Sequence, residues 1–186
     1  GSGLDEPNFE RLPEQQLHQM SHHRLYCLRE EFSKYGKPDP ALYYVEGAFV
    51  PTEPGASTWR EQADIYHRWA LLSLPYGIDR FYSGWFAYDC GDYYGQEHYG
   101  GCGIQRRIPY CDPKPAYAVY ATMTRVLNGA TFEKWLPTGS LSVYCLKFRR
   151  PQGGPAFVLW TLRGRRLATL TGATGPATVT DDMDNA

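Results

Sequence analysis

The most informative segment of this 186-residue chain is Leu42-Tyr43-Tyr44-Val45-Glu46-Gly47. A short apolar run of this kind predicts a buried strand, and this one delivers a carboxylate at its C-terminal end. Gly47 then lets the backbone turn away from the strand direction. Because parallel barrels carry their catalytic residues at this end of their strands, we expect Glu46 to be a catalytic carboxylate.

A second strand-like run over residues 79–88 places Trp85 in the equivalent position. Between the two runs, Thr58-Trp59-Arg60-Glu61 has the pattern of a capping box and predicts a helix through Ser73. Pro75-Tyr76-Gly77 ends that helix just before the second run begins. Strand, helix and strand in this order predict a βαβ unit with parallel strands. A carboxylate and a Trp at neighbouring strand ends suggest a site that handles sugars.

The other elements follow from periodicity and from Pro and Gly. An amphipathic helix is predicted between Pro13 and Gly36, and a last helix over residues 116–127. A long loop rich in Gly and Tyr separates that last helix from the second strand. The final segment predicts an antiparallel pair of strands over 141–148 and 156–162.

The composition excludes several classes of partner. The net charge is −1 and the charged residues form no blocks, so neither nucleic acid nor membrane is predicted as a partner. No apolar stretch is long enough to span a bilayer, and the first residues lack the layout of a signal peptide. We therefore predict a soluble chain and leave its compartment open, because Gly1-Ser2-Gly3 looks like an artificial linker.

The five cysteines are an odd number, so they cannot all pair within the chain. Cys90, Cys102 and Cys111 with His98 lack the closely spaced cysteine pair that structural zinc favours, and no metal or cofactor is predicted. Two alternatives stay open: a disulfide between Cys90 and Cys102 in an exported protein, or buried free thiols. Gly100-Gly101-Cys102-Gly103 has no following helix to hold a phosphate, so we interpret it as a flexible loop.

Five short motifs follow one another along the chain: Val45-Glu46-Gly47, Gln62-Ala63, Gly77-Ile78-Asp79-Arg80, Gly84-Trp85 and Lys114-Pro115-Ala116-Tyr117. In this order and spacing, they make the chain resemble the C-terminal part of a clan A retaining glycoside hydrolase, an enzyme built on a (β/α)8 barrel. The resemblance implies an α/β fold class. After an irregular entry over residues 1–12, residues 13–132 would form strands 7 and 8 of a TIM barrel with their flanking helices. Residues 138–186 would form an antiparallel β segment that is part of an accessory β-sandwich.

The resemblance also implies roles for individual residues. Glu46 matches the catalytic nucleophile, and Trp85 matches the aromatic platform of the sugar subsite beside it. Tyr82, Tyr88 and Asp89 are predicted as further contacts to a carbohydrate substrate. The implied reaction is hydrolysis of an O-glycosidic bond by a retaining double displacement.

This mechanism also requires a second carboxyl group, which acts as acid/base. In the family that residue directly follows an Asn, and this chain contains no Asn-Glu pair. Strands 1 to 6 are also missing, so we expect the intact parent to be an enzyme and this chain alone to be inactive. The sheet edges are expected to need the missing N-terminal barrel segment, or a partner chain that supplies it. The three asparagines of the chain are Asn8, Asn128 and Asn185.

A second hypothesis belongs to another class. Aromatic residues make up 15% of the chain, more than a core of this size needs, and tyrosine hydroxyls favour positions that reach water. The aromatic loop is therefore also consistent with a noncatalytic carbohydrate-binding or interaction module.

Overall fold

The structure is a computed structural model that describes residues 21–47, 52, 57–83, 87–89, 101–140, 142–162, 164–172 and 175–185. The chain divides into two compact units, residues 1–121 and 122–186. Within the described ranges, no helix is both long enough and apolar enough to cross a bilayer.

The first unit contains a βαβ arrangement, as the sequence predicts. Strands β1 (Tyr43–Gly47) and β2 (Arg80–Ser83) pair in parallel, and helix α2 (Trp59–Ser73) connects them. Helix α1 (Ser21–Lys34) precedes β1, and its predicted start at Pro13 lies outside the described residues. Helix α3 (Pro115–Val126) begins with a proline in its first turn, where the missing N–H costs no hydrogen bond.

Helix α2 forms the core of the first unit, and its sequence accounts for both of its ends. The capping box is present: the backbone N–H of Glu61 donates to Thr58 Oγ1 at 3.2 Å, and the N–H of Thr58 donates to the Glu61 carboxylate at 2.7 Å. A 3₁₀ turn over Leu74–Tyr76 follows, and Gly77 closes it with a φ of 71°, which a glycine adopts without strain. The largest side chains that α2 buries are Tyr66, Trp69, Leu71 and Leu72.

The capping box makes a pH-dependent contribution to stability. Hydrogen bonds from the Thr58 backbone and hydroxyl lower the pKa of Glu61 below its ordinary value. The ionised Glu61 therefore contributes its full stabilisation of the folded state above the unfolded-state pKa of about 4.3. This stabilisation is lost as the pH falls through the lower folded-state pKa. We expect Glu61→Gln to destabilise the chain by about 0.3–1 kcal/mol at pH 7. Thermal melts from pH 7 to pH 3 check this: the two Tm curves should converge at low pH, and parallel curves would contradict the prediction.

The second unit is built on an antiparallel sheet in the order β3–β4–β5. Its strands are β3 (Thr131–Trp135), β4 (Val143–Arg149) and β5 (Ala156–Thr161). The predicted antiparallel pair is confirmed as β4 and β5, which pair without interruption from Val143↔Thr161 to Phe148↔Ala156. The central strand β4 pairs with a strand on each edge, and it buries side chains on both faces of the sheet.

Aromatic contacts across the strands stabilise this sheet. The ring of Tyr144 stacks on its cross-strand partner Trp160, with ring centres 4.9 Å apart and planes 6° from parallel. Phe132 meets Phe148 edge to face, with centres 5.8 Å apart. Each such pair adds about 0.5–1.5 kcal/mol beyond the burial of its surface.

Strand β3 is an element that the sequence analysis did not predict. Its five residues include two charged ones, and it follows directly on the Asn128-Gly129 turn that ends the last helix. A strand this short and polar has a weak periodic signal, and its pairing with β4 is irregular between Phe132 and Lys134. It lies across the barrel boundary that the sequence predicts at residue 132.

Candidate functional site

The candidate site lies at the C-terminal ends of the two parallel strands. Gly47 and Ser83, the last residues of β1 and β2, are register partners, so the two strands end side by side. Glu46 is the next-to-last residue of β1. The structure thus confirms that the chain brings the segment containing Glu46 to the C-terminal edge of a parallel sheet.

The register of the two strands changes at Glu46. Tyr44 pairs with Phe81 and Gly47 pairs with Ser83, so two residues of β1, Val45 and Glu46, stand against one residue of β2. The residue opposite them is Tyr82. Bulges of this kind are uncommon in parallel sheets, and they are concentrated next to active sites because they redirect a side chain.

The opposite ends of the two strands are held together by Asp79. Its backbone N–H donates to the carbonyl of Leu42 at 2.9 Å, and its carboxylate accepts from the N–H of Leu42 at 2.6 Å. These two hydrogen bonds fix the start of β1 against the start of β2. The register difference therefore arises within the strands, at Val45 and Glu46, and not at their beginning.

One face of this two-stranded sheet is open to solvent. Tyr82 is 48% exposed, and Tyr43 and Arg80 are exposed beside it. The guanidinium of Arg80 lies over the Tyr43 ring, 5.5 Å from its centre. A hydrogen bond with Tyr82, reinforced by Tyr43, raises the pKa of Arg80 above its already high ordinary value.

The other predicted site residues fall in different places. The side chain of Glu46 and the whole of Trp85 lie outside the described residues. Tyr88 is exposed, and Asp89 is buried. The structure therefore places Tyr82 opposite the Glu46 bulge and Tyr88 beside Asp89, and the substrate contacts of all five residues stay predictions.

Asp89 belongs to a buried ion pair with Lys114. The Lys114 ammonium donates to Asp89 Oδ1 at 2.8 Å, and the two side chains are 0% and 1% exposed. The same ammonium donates to the carbonyls of Gly101 and Gly103, each at 2.8 Å. Asp89 Oδ1 also accepts from the backbone N–H of Gly103 at 2.8 Å. We call these four residues the Lys114 cluster.

Helix α2 contributes two further side chains to the Lys114 cluster. The amide of Gln62 donates to the carbonyls of Gly101 and Gly103, at 3.0 and 3.3 Å, and it is fully buried. The hydroxyl of Tyr66 donates to the carbonyl between them, that of Cys102. Three consecutive backbone carbonyls, those of residues 101–103, thus join the start of α3 to α2 and to the segment after β2.

Gly103 is required for a close contact, which the interpretation of this segment as a flexible loop did not predict. Gly101, Cys102 and Gly103 are all buried. A Cβ atom on Gly103 would lie 2.2 Å from the backbone of Tyr88, which is closer than Cβ atoms approach other atoms in proteins. Any residue other than glycine would therefore clash there. The absence of a side chain lets two backbone segments approach each other.

The sequence motifs include Gln62 and Lys114, but they do not predict the contacts of these two side chains. Gln62-Ala63 and Lys114-Pro115 both carried the family resemblance, and the structure shows that their polar side chains bind the same two carbonyls. The burial of Lys114, which the sequence did not reveal, is what calls for an acidic partner, because lysines are almost never fully buried unless they are paired. Asp89 is that partner.

The predictions for the cysteines fall partly outside the described residues. Cys90 and His98 lie there, so the disulfide and the zinc alternative are not decided by the structure. Cys111 and Cys145 carry free thiols, and burial raises the pKa of Cys145. In the parts of the chain that are described, no three His, Cys, Asp or Glu side chains lie together as a metal site.

The chain is similar in fold to a family 39 glycoside hydrolase from the gut symbiont Bacteroides cellulosilyticus WH2, with a TM-score of 0.58 and 22% sequence identity. The match covers 75% of this chain and 27% of that protein's chain. No protein-family model matches the chain, and neither does any curated protein. The likeness concerns the fold, and it agrees with the mixed α/β architecture followed by a three-stranded antiparallel sheet.

Proposed function

We propose that this chain is the C-terminal part of a retaining glycoside hydrolase of (β/α)8 architecture, in which β1 and β2 are barrel strands 7 and 8 and Glu46 is the nucleophile. The observation that carries the proposal is the position of Glu46 in a bulge at the C-terminal end of a parallel strand. Catalytic residues of such barrels lie at this end of the strands. The fold likeness to a family 39 glycoside hydrolase supports the same conclusion.

The proposed reaction proceeds in two displacements at the anomeric carbon. The Glu46 carboxylate forms a bond to that carbon while the glycosidic C–O bond breaks, and a carboxylic acid gives its proton to the departing oxygen. A water molecule then attacks the glycosyl ester, gives a proton back to the same acid/base and releases Glu46. The acid/base is supplied by sequence outside residues 1–186, and Trp85 and Tyr82 provide aromatic surface for the sugar.

The open face of the parallel sheet supports a larger barrel. In the described part of the chain, β1 and β2 pair only with each other, and Tyr43, Arg80 and Tyr82 are exposed on one face. Parallel sheets normally have both faces covered and occur with more strands. We propose that the remaining barrel strands, from the same polypeptide or from a partner chain, cover this face and the free strand edges.

Covalent labelling tests the role of Glu46 directly. A 2-deoxy-2-fluoro glycoside with a good leaving group slows both displacements, and the second becomes slow enough for the glycosyl ester to accumulate. We expect one fluoroglycosyl group on the proteolytic peptide that contains Glu46 when the parent enzyme is treated and analysed by mass spectrometry. A label on a different carboxylate, or turnover of substrate with no label, would contradict the assignment.

A further inference from the structure

Arg80 is a cation on the open face of the parallel sheet, at the opposite end of the strands from Glu46. It is the first residue of β2, and its register partner Tyr43 is the first residue of β1. Active sites of parallel barrels lie at the C-terminal ends of the strands, whereas residues at the N-terminal ends contribute to stability. The position of this guanidinium therefore favours a protein group, and not a substrate, as its binding partner.

The pairing of the two strands determines which side chains share the open face. Tyr43 and Arg80 are opposite each other in the register, so they lie on one face of the sheet. Tyr82 lies on the same face because side chains two residues apart on a strand point the same way. Phe81, between them, points to the other face and is half-buried. The open face thus carries two tyrosines and one arginine.

The guanidinium of Arg80 has aromatic neighbours. It lies over the Tyr43 ring, 5.5 Å from the ring centre, and it forms a hydrogen bond with Tyr82. Within the described ranges of the chain, no carboxylate forms an ion pair with Arg80. The acid next to it in sequence, Asp79, accepts a hydrogen bond from the N–H of Leu42 at 2.6 Å instead.

Any protein layer that covers this face buries the charge of Arg80. Burial of an ionised group is unfavourable unless an opposite charge and hydrogen bonds accompany it. An arginine cannot avoid this cost by losing its proton, because its pKa lies far above neutral pH. Tyr43 and Tyr82 offer ring surface and a hydroxyl acceptor, but no negative charge at neutral pH. The covering segment must therefore bring the negative charge.

We propose that the barrel segment that covers Tyr43, Arg80 and Tyr82 carries an aspartate or glutamate, outside residues 1–186, that forms a buried ion pair with Arg80. The inference rests on the proposed function, because that proposal supplies the covering strands. A carboxylate binds the N–H edge of a guanidinium in its plane, through two parallel hydrogen bonds. This approach is compatible with the Tyr43 ring that lies against the same group.

Carbodiimide coupling tests the ion pair. Arg80→Lys keeps the positive charge and supplies an amine, which forms an amide with a carboxylate that is in contact with it. The parent polypeptide with this substitution is treated with a water-soluble carbodiimide, digested and analysed by mass spectrometry. We expect residue 80 to be crosslinked to one aspartate or glutamate outside residues 1–186. Lys147 and Glu133, 2.8 Å apart, provide the positive control in the same sample.

Two results of this experiment would overturn the proposal. One is a crosslink from residue 80 to an acidic residue within residues 1–186. The other is no crosslink at residue 80 in a sample where Lys147 is coupled to Glu133. The circular dichroism spectrum of the Arg80→Lys variant is compared with that of the original protein before coupling.

A measurement on the unsubstituted parent covers the case in which Arg80→Lys does not fold. Phenylglyoxal reacts with the neutral form of a guanidinium group, and a carboxylate in contact with that group favours its charged form. We expect Arg80 to be modified at least about tenfold more slowly than Arg165, which is exposed. Equal rates of modification at the two arginines would overturn the proposal.

The crosslink and the fluoroglycosyl label separate this proposal from the proposed function. If residue 80 is crosslinked as expected while the label lies on a carboxylate other than Glu46, the nucleophile assignment fails and the ion pair stands. If Glu46 is labelled while residue 80 is not crosslinked, the ion pair fails and the nucleophile assignment stands.

Discussion

Replacement of Glu46 by glutamine is expected to lower kcat of the proposed glycosidase by roughly 10⁴-fold or more, because residues that form the covalent intermediate contribute effects of this size. A neutral amide neither attacks the anomeric carbon effectively nor stabilises the positive charge that develops there. The measurement is hydrolysis of chromogenic aryl glycosides by the parent enzyme and by its Glu46→Gln variant. This chain alone should show no activity in the same assay.

Glu31→Gln provides the matched control for that experiment. Glu31 is an exposed glutamate on α1 that contacts Lys34 at 2.6 Å. Glu31→Gln removes one negative charge, as Glu46→Gln does, but from a residue that is distant in sequence from the strand ends. The control should hydrolyse the glycosides at the original rate. Equal rates for Glu46→Gln and Glu31→Gln would eliminate Glu46 as the nucleophile.

Replacement of Lys114 by methionine is expected to lower the free energy of unfolding by about 3–5 kcal/mol, the usual cost of removing one partner of a buried ion pair. The Asp89 carboxylate would stay buried without its cation, and the carbonyls of Gly101 and Gly103 would each lose a charged donor. Chemical denaturation followed by circular dichroism measures the loss. It is a large part of the stability of an ordinary domain, about 5–15 kcal/mol.

Two further variants identify the cause of that loss. Lys34→Met removes an exposed ion pair from the same unit and should cost much less, because water screens the attraction between exposed charges. The double variant Lys114→Met with Asp89→Leu removes both charges, and it should be more stable than Lys114→Met because no uncompensated charge remains. A cost for Lys114→Met no greater than that for Lys34→Met would show that the buried pair contributes little to stability.

The βαβ arrangement could be predicted because its signals are local. Thr58 and Glu61 lie three residues apart in the pattern of a capping box, and both of the expected hydrogen bonds form. Gly77 ends the turn after α2 in the left-handed conformation that glycine favours. The parallel pairing of β1 and β2 then follows, because a helix of this length between two strands leads the chain back to run in the same direction.

The bulge at Glu46 could not be predicted from the sequence. Leu42 to Gly47 indicates a strand that ends in a carboxylate, but a shift of register depends on which residue of β2 pairs with each residue of β1. The hydrogen bonds between Leu42 and Asp79, which are 37 residues apart, set the pairing only at the beginning of the strands, and the shift arises further along, at Val45 and Glu46. Pairing across such a separation leaves no local pattern in the sequence.

The sequence alone determined the βαβ order of β1, α2 and β2, the antiparallel pair of β4 and β5, where α2 begins and ends, and that a carboxylate lies at a strand end. These properties depend on interactions between residues a few positions apart, so they are readable in the order of the residues. The tertiary structure decided that Asp89, Lys114 and Gln62 meet on the carbonyls of Gly101 and Gly103. Burying a charged amine requires an anion and several acceptors in one place, and only the folded chain brings together groups from three distant segments to provide them.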